Sequence, residues 1–173
     1  MEKLILASAS PRRAELLSRV GIPFETLDFD SSAAEYGLGS LGLDPPELAA
    51  RAAAAKLDAA LDTLDAPGRL VLCADTVVAA GGEVFGKPAG PEDAARMLRA
   101  LSGQVHSVIT GCAIAKTGGG PVSRFRVSTS VEFFELDERE IEAYIATGES
   151  FDKAGAYGIQ GRARSEEHTS ELQ

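Results

Sequence analysis

Leu70-Val71-Leu72-Cys73-Ala74-Asp75-Thr76-Val77-Val78-Ala79-Ala80-Gly81-Gly82-Glu83-Val84-Phe85 is the stretch that decides the fold. Leu70 to Ala74 is a continuous apolar run, as expected of a central strand covered on both faces. Val77 to Ala80 and Glu83 to Phe85, joined by Gly81-Gly82, read as a hairpin. Asp75 therefore stands at the carboxyl end of the most apolar strand. In open α/β sheets, ligands bind just outside that end.

Outward from this stretch, strands and helices alternate. Leu4 to Ala7 is a short buried strand. Ser10 is a good N-cap and Pro11 suits a first helical turn, so a helix runs through Leu16, Leu17 and Val20 until Gly21 ends it. Pro23 to Phe29 reads as a second strand. Asp30 to Pro45, rich in Ser, Gly and Asp, reads as a loop. Pro46 opens a long Ala-rich helix carrying Arg51 and Lys56. Pro91 starts another, with Glu92 and Asp93 in the turn where the helix dipole favours acids. Gln104 to Lys116 and Val122 to Glu135 read as long strands. In the second, Phe125, Val127, Thr129, Val131 and Phe133 alternate onto one face. Asp137 with Glu140 has the spacing of a capping box for a helix through Ile141, Tyr144 and Ile145, ended by Gly148. The pattern predicts a mixed α/β sheet with helices on its faces.

The chain has 173 residues, 17 Lys+Arg and 26 Asp+Glu, for a net charge of −9. That field repels phosphate polymers and anionic membrane surfaces, so broad nucleic-acid or membrane binding is excluded as a partner class. No apolar run approaches the ~20 residues that span a bilayer. The start lacks the basic lead and long apolar core of a signal peptide. Cys73 and Cys112 both sit in apolar runs, as reduced core thiols of a cytoplasmic protein do. Two Cys and two His, scattered, make no zinc site, so any metal would be held by carboxylates and would be Mg or Mn.

Four constellations carry chemistry. The first is Ser8-Ala9-Ser10-Pro11-Arg12-Arg13. Helix N-terminal amides attract anions, and the two guanidinium groups suit phosphate oxygens. Two cations there oppose the helix dipole, at a cost of a few tenths up to ~1 kcal/mol that a bound polyphosphate would offset. A solvated basic helix end, salt-bridged to acids such as Glu15, fits the same spacing. The second is Asp75-Thr76, where a carboxylate can hold a metal, take a proton from water, or merely cap a turn. The third is Gly86-Lys87-Pro88, a lysine on a rigid turn that is either a phosphate point charge or an exposed loop residue. The fourth is Asp152-Lys153-Ala154-Gly155-Ala156-Tyr157-Gly158-Ile159-Gln160-Gly161. Its glycines permit close backbone approach, and the Gln160 amide can read a base edge. A structural turn is the other reading, and Tyr157 and Ile159 are core anchors in both. His106 reads as a structural histidine. Cys73 lacks a His or Lys neighbour in sequence to activate it. Lys56 lies at the solvent edge of its helix unless it turns toward a cleft.

Taken in this order, the motifs resemble those of the Maf family of nucleoside triphosphate pyrophosphatases over nearly all of Met1 to Ala163. The carrying residues are Leu6 to Arg13, Ala74 to Val78, Gly86-Lys87-Pro88, Met97-Leu98 through Leu101-Ser102-Gly103, and Asp152 to Gly161. The resemblance implies a mixed sheet flanked by helices, like that of inosine triphosphatases, with two lobes around a nucleotide cleft. It implies hydrolysis between the α and β phosphorus atoms, giving a monophosphate and pyrophosphate, as house-cleaning with a link to cell-division arrest. The branch acting on dTTP and UTP carries Arg after Ser-Pro, Asp-Thr, and Gly-Ile-Gln; here these are Arg12, Thr76 and Gln160. The branch acting on 7-methyl-GTP has Trp, Gln and Glu at those places. The family assigns the proton acceptor to the position of Asp75, which also ligates Mg or Mn. On that resemblance Ser8, Arg12, Arg13, Lys87 and Lys153 are expected to bind substrate, with Lys56 joining them. Family members also pair into homodimers, which nothing in this sequence decides. Two alternatives stay open: a pyrophosphatase for another modified nucleotide, and a non-catalytic nucleotide-binding regulator of septum formation.

The sequence departs from the family in two places. The acidic stretch after the second strand reads Asp28-Phe29-Asp30-Ser31-Ser32-Ala33-Ala34-Glu35, and either Asp30 or Glu35 would complete a metal site. Arg164 to Gln173 has no apolar periodicity and resembles the translation of a common sequencing-library adapter. The expectation is a single Maf-like domain over residues 1–163, truncated at its C-terminus, with 164–173 a non-native tail. That tail carries Arg164 against Glu166, Glu167 and Glu171, so without it the net charge is −7.

Overall fold

The fold is described from a computed structural model, over residues 3–29, 31, 42–159 and 161–162. Residues 1–2, 30, 32–41, 160 and 163–173 lie outside them, and with them Asp30, Glu35 and Gln160. The described elements are β1 (Leu4–Ala7), α1 (Pro11–Arg19), β2 (Phe24–Leu27), α2 (Pro45–Leu61), β3 (Leu70–Ala80), β4 (Glu83–Phe85), α3 (Pro91–Leu101), β5 (Val105–Lys116), β6 (Ser123–Glu132) and α4 (Glu138–Ala146). A single 3₁₀ turn, Ala154–Ala156, follows. The class is α/β, as expected: six strands in one mixed sheet, ordered β2-β1-β3-β5-β6, with β4 pairing on β3.

β1 is parallel to β2, Leu4 to Ala7 facing Phe24 to Leu27, and parallel to β3, where Ile5 faces Val71 and Leu6 faces Leu72. β4 runs antiparallel to β3, Val78 facing Phe85, which is the expected hairpin. The strand and the hairpin arm, however, are one strand of 11 residues. Asp75 is thus mid-strand rather than at a strand end. Its charge is met by a lysine, so the strand has no need to stop there.

The chain forms two compact units, Met1–Asp75 with Thr110–Val127, and Thr76–Ile109 with Ser128–Gln173. The first has a core of Ile5, Ala7, Ala53, Leu57, Ala60, Val71, Cys73, Ala113 and Ala115. Alanine dominates the buried face of α2 because β5 comes very near: a Cβ on Gly111 would lie 2.3 Å from the Ala49 carbonyl oxygen. The second has its own core of Val78, Phe85, Ala94, Met97, Leu98, Leu101, Ile141, Ala156 and Tyr157. Fully burying each of the large side chains in these sets is worth about 1.5–3 kcal/mol.

Helix boundaries follow their signals closely. α1 starts at Pro11 after an extended Ser10, although the Ser10 hydroxyl makes no capping bond. α2 begins at Pro45, one residue before the expected start, because Asp44 caps it by accepting from the Glu47 amide at 2.8 Å. α4 has the full capping box: Asp137 accepts from the Glu140 amide at 2.8 Å and Glu140 accepts from the Asp137 amide at 2.9 Å. The alternating face of β6 is only partly covered. Val131 is buried, but Phe125 is 50% exposed and Val127 58%. Ile159, expected in the core, is 39% exposed, whereas Tyr157 is buried as expected.

Candidate active site

In the first unit, the turn after β1 is organised by Ser8 rather than Ser10. Ser8 Oγ accepts from the Ser10 amide at 3.2 Å and from Arg13 Nη1 at 3.0 Å. This aims Arg13 back across the helix start. Burial pulls its guanidinium below the ordinary value, with Asp75 and then Cys112 opposing and Arg12 reinforcing the shift. Arg13 therefore lies within the field of Asp75, and Arg12 stands half-buried next to it in sequence.

Lys56 does turn inward. From α2 its Nζ donates to Asp75 Oδ1 at 2.5 Å, with the two side chains only 13% and 18% exposed. Ser8, Arg13, Lys56 and Asp75 thus form one cluster, in which a lone carboxylate is set among cations. The opposite-charge pair is charge-assisted and strong at this distance. Cys73 shares the strand face of Asp75, two residues before it. Burial pushes its thiol up to about 12, while Lys56 and Arg13 pull it down and Asp58 adds to the rise. The cationic neighbours missing from the local sequence are present in space, yet desolvation outweighs them. Cys73 is a core thiol and no nucleophile; Cys112 is likewise free, half-buried and raised by burial.

Among the described residues, no group of three or more His, Cys, Asp or Glu stands together as a metal cage. Asp30 and Glu35 lie outside those residues. A single carboxylate with cationic neighbours fits a magnesium ion brought in on phosphate oxygens, since Mg²⁺ is usually held by one or two carboxylates plus substrate.

In the second unit, Thr76 is half-buried and follows Asp75 along β3, so their side chains leave the strand on opposite sides. Lys87 is exposed beyond β4, with Pro88 buried behind it. The Gly86 carbonyl accepts from the Gly155 amide at 3.0 Å, which joins the Lys87 turn to the segment carrying Lys153. Gly155 has φ +71, and a Cβ there would crowd the Val78 side chain at 3.0–3.1 Å, so this turn requires glycine. Lys153 Nζ donates to the Glu149 carbonyl and to Asp152 Oδ1, each at 2.5 Å. Gln160 lies outside the described residues.

His106 is structural, as read from sequence. It is 2% exposed, and its Nε2 lies 2.7 Å from Tyr157 Oη. Its ring meets Phe133 and Tyr157 edge-on at 4.9 and 5.4 Å between centroids. Burial lowers its proton affinity; the Gln104 carbonyl opposes this without making a bond of proper geometry to Nδ1. Sequence reading passed over one polar group here. Tyr144 reads from sequence only as a residue along its helix, but its Oη accepts from the Gly158 amide at 3.1 Å. The available signal is a phenol on an apolar helix face, which needs a hydrogen-bond partner when buried.

No helix among the described residues is long and apolar enough to cross a membrane. The family of Maf-like proteins matches residues 3–167. A dTTP/UTP pyrophosphatase from Moorella thermoacetica is 48% identical over 165 residues, covering 94% of this chain and 80% of that protein. One from Ralstonia nicotianae is 47% identical over 167 residues, covering 92% and 79%. One from Dechloromonas aromatica is 46% identical over 171 residues, covering 93% and 83%. With its sheet order, its strand-borne aspartate and a match across nearly its whole length, the chain belongs to the Maf-like protein family.

Proposed function

We propose that the chain hydrolyses dTTP and UTP between the α and β phosphorus atoms, releasing the nucleoside monophosphate and pyrophosphate. The observation that carries this reading is the Lys56–Asp75 pair at 2.5 Å, set with Arg13 and Ser8 at the start of α1. Cations that gather around one carboxylate form a site for a polyanion with a base built in. The curated relatives named dTTP/UTP pyrophosphatase support the substrate.

Ser8, Arg12, Arg13 and Lys56 supply donors and positive charge to phosphate oxygens, and Lys87 and Lys153 supply more. Thr76 and Gln160 are assigned to the nucleoside, where the Gln160 amide has both the donor and the acceptor that a uracil-like edge needs. Lys56 holds Asp75 by Oδ1, which orients the other carboxylate oxygen to take a proton from water. The water oxygen bonds to phosphorus as the bridging P–O bond breaks. The proton passes to Asp75, and the electron pair of the broken bond leaves on the departing pyrophosphate. Mg or Mn carried on the triphosphate, with Asp75 as a ligand, would neutralise charge developing on its oxygens. A cytoplasmic location and a homodimer complete the reading; the free thiols support the first.

The test is pyrophosphate release from dTTP, UTP, dCTP, ITP and 7-methyl-GTP, with Mg, with Mn and with chelator. Release from dTTP and UTP that stops with chelator is the expected result. Faster turnover of another triphosphate than of both would reassign the substrate. Binding of dTTP with no release from any of them would point to a non-catalytic nucleotide-binding protein.

A further inference from the structure

The segment that carries Lys153 is fastened at three points. The Gly155 amide is held by the Gly86 carbonyl at 3.0 Å, the Gly158 amide by Tyr144 Oη at 3.1 Å, and Tyr157 Oη by His106 at 2.7 Å. Between the first two fastenings, Ala156 sits at φ +62 with its side chain buried. A residue with a Cβ resists that conformation, so the surrounding bonds hold a strained backbone in place.

The fastening at Gly158 bears directly on Lys153. The lysine stem lies against the bare Cα of Gly158: a Cβ there would fall 2.6 Å from Lys153 Cε and 2.7 Å from Cδ. Tyr144 therefore fixes the surface over which the lysine runs. The Lys153 ammonium has three donors. Two go to the Glu149 carbonyl and Asp152 Oδ1, which set its direction. A turn that only closed a core would need neither a phenol reaching in from α4 nor a charged side chain laid across a glycine.

We propose that Tyr144 is a positioning residue for triphosphate binding: by holding the Gly158 amide it sets where the Lys153 ammonium meets a phosphate oxygen. The His106–Tyr157 bond is a second fastening of the same segment. The proposal rests on the reading of Lys153 as a phosphate ligand.

The experiment is calorimetric titration of the 173-residue chain with α,β-imido-dTTP, which binds without turnover, using Tyr144→Phe, Lys153→Met and the double variant. Phenylalanine keeps the ring and loses the oxygen. Tyr144→Phe is expected to weaken binding roughly 3- to 10-fold, the equivalent of one neutral hydrogen bond. In the Lys153→Met background the same change is expected to add nothing beyond about twofold, because its route to the ligand is gone. Gly158→Ala, which displaces the lysine stem, is expected to match Tyr144→Phe. A Tyr144→Phe variant that only melts earlier and binds as the wild type overturns the proposal. So does equal weakening in both backgrounds. Wild-type binding by Lys153→Met overturns the assignment of Lys153 itself, and with it the basis of the inference.

Discussion

Lys56 and Asp75 are 19 positions apart and meet at 2.5 Å, mostly shielded from water. That contact turns two ambiguous residues into one chemical unit. No local spacing announced it. α2 buries Ala49, Ala52, Ala53, Ala54, Leu57 and Ala60, so small residues occupy much of its circumference and no clean stripe says which way Lys56 faces. His106 shows the reverse case, where the sequence reading was sufficient: a histidine within an apolar strand is most simply a core residue. It also has a consequence for stability. Burial keeps its folded proton affinity below the ordinary 6.5. Below that pH the unfolded chain takes up a proton that the folded chain refuses, so stability is intact above 6.5 and erodes as pH falls toward the folded value. Each tenfold difference in proton affinity is worth about 1.4 kcal/mol. The melting temperature of the wild type should fall between pH 6.5 and 5, and that fall should be shallower in His106→Gln. Equal slopes in thermal melts of the two would contradict it.

At the scale of elements, legibility depended on how many residues write the signal. The capping box of α4 is written in four consecutive residues, and both of its bonds form. Asp137→Ala removes one bond and leaves the Glu140 amide without its acceptor, at a cost of about 1 kcal/mol. For a chain of this size that is a melting-temperature drop of about 2–4 °C, measurable by circular dichroism; an unchanged value would mean that the end of α4 frays already. β6 shows what alternation cannot tell. Phe125, Val127 and Val131 do share one strand face, but only Val131 is covered, since period fixes which residues point together and not what lies opposite. β3 was read as two pieces because Asp75 and Thr76 look like a break in an apolar run. A polar side chain need not end a strand when a partner such as Lys56 answers its charge. The segment from Lys153 to Gly158 shows the limit of local pattern. Its bonds to Gly86, Tyr144 and His106 come from distant sequence, so no local pattern contains them.

For the molecule as a whole, a net charge of −9 opposes every approaching phosphate. Against that field stand Arg12, Arg13, Lys56, Lys87 and Lys153, the cations to which the substrate is assigned. A repelling body with local cations suits a small, highly charged anion and disfavours long phosphate polymers. Membership of the Maf-like family and the position of Asp75 beside Lys56 and Arg13 support the proposal of hydrolysis with Asp75 as its base. Asparagine at that position keeps the shape and a hydrogen-bond acceptor for Lys56 but cannot accept the proton. The most direct measurement is therefore pyrophosphate release from dTTP by the wild type and by Asp75→Asn, with circular dichroism to show that both are folded. The account predicts steady release by the wild type and a loss of at least about 100-fold in the variant, the scale of general-base catalysis. A folded Asp75→Asn that releases pyrophosphate at the wild-type rate would contradict it.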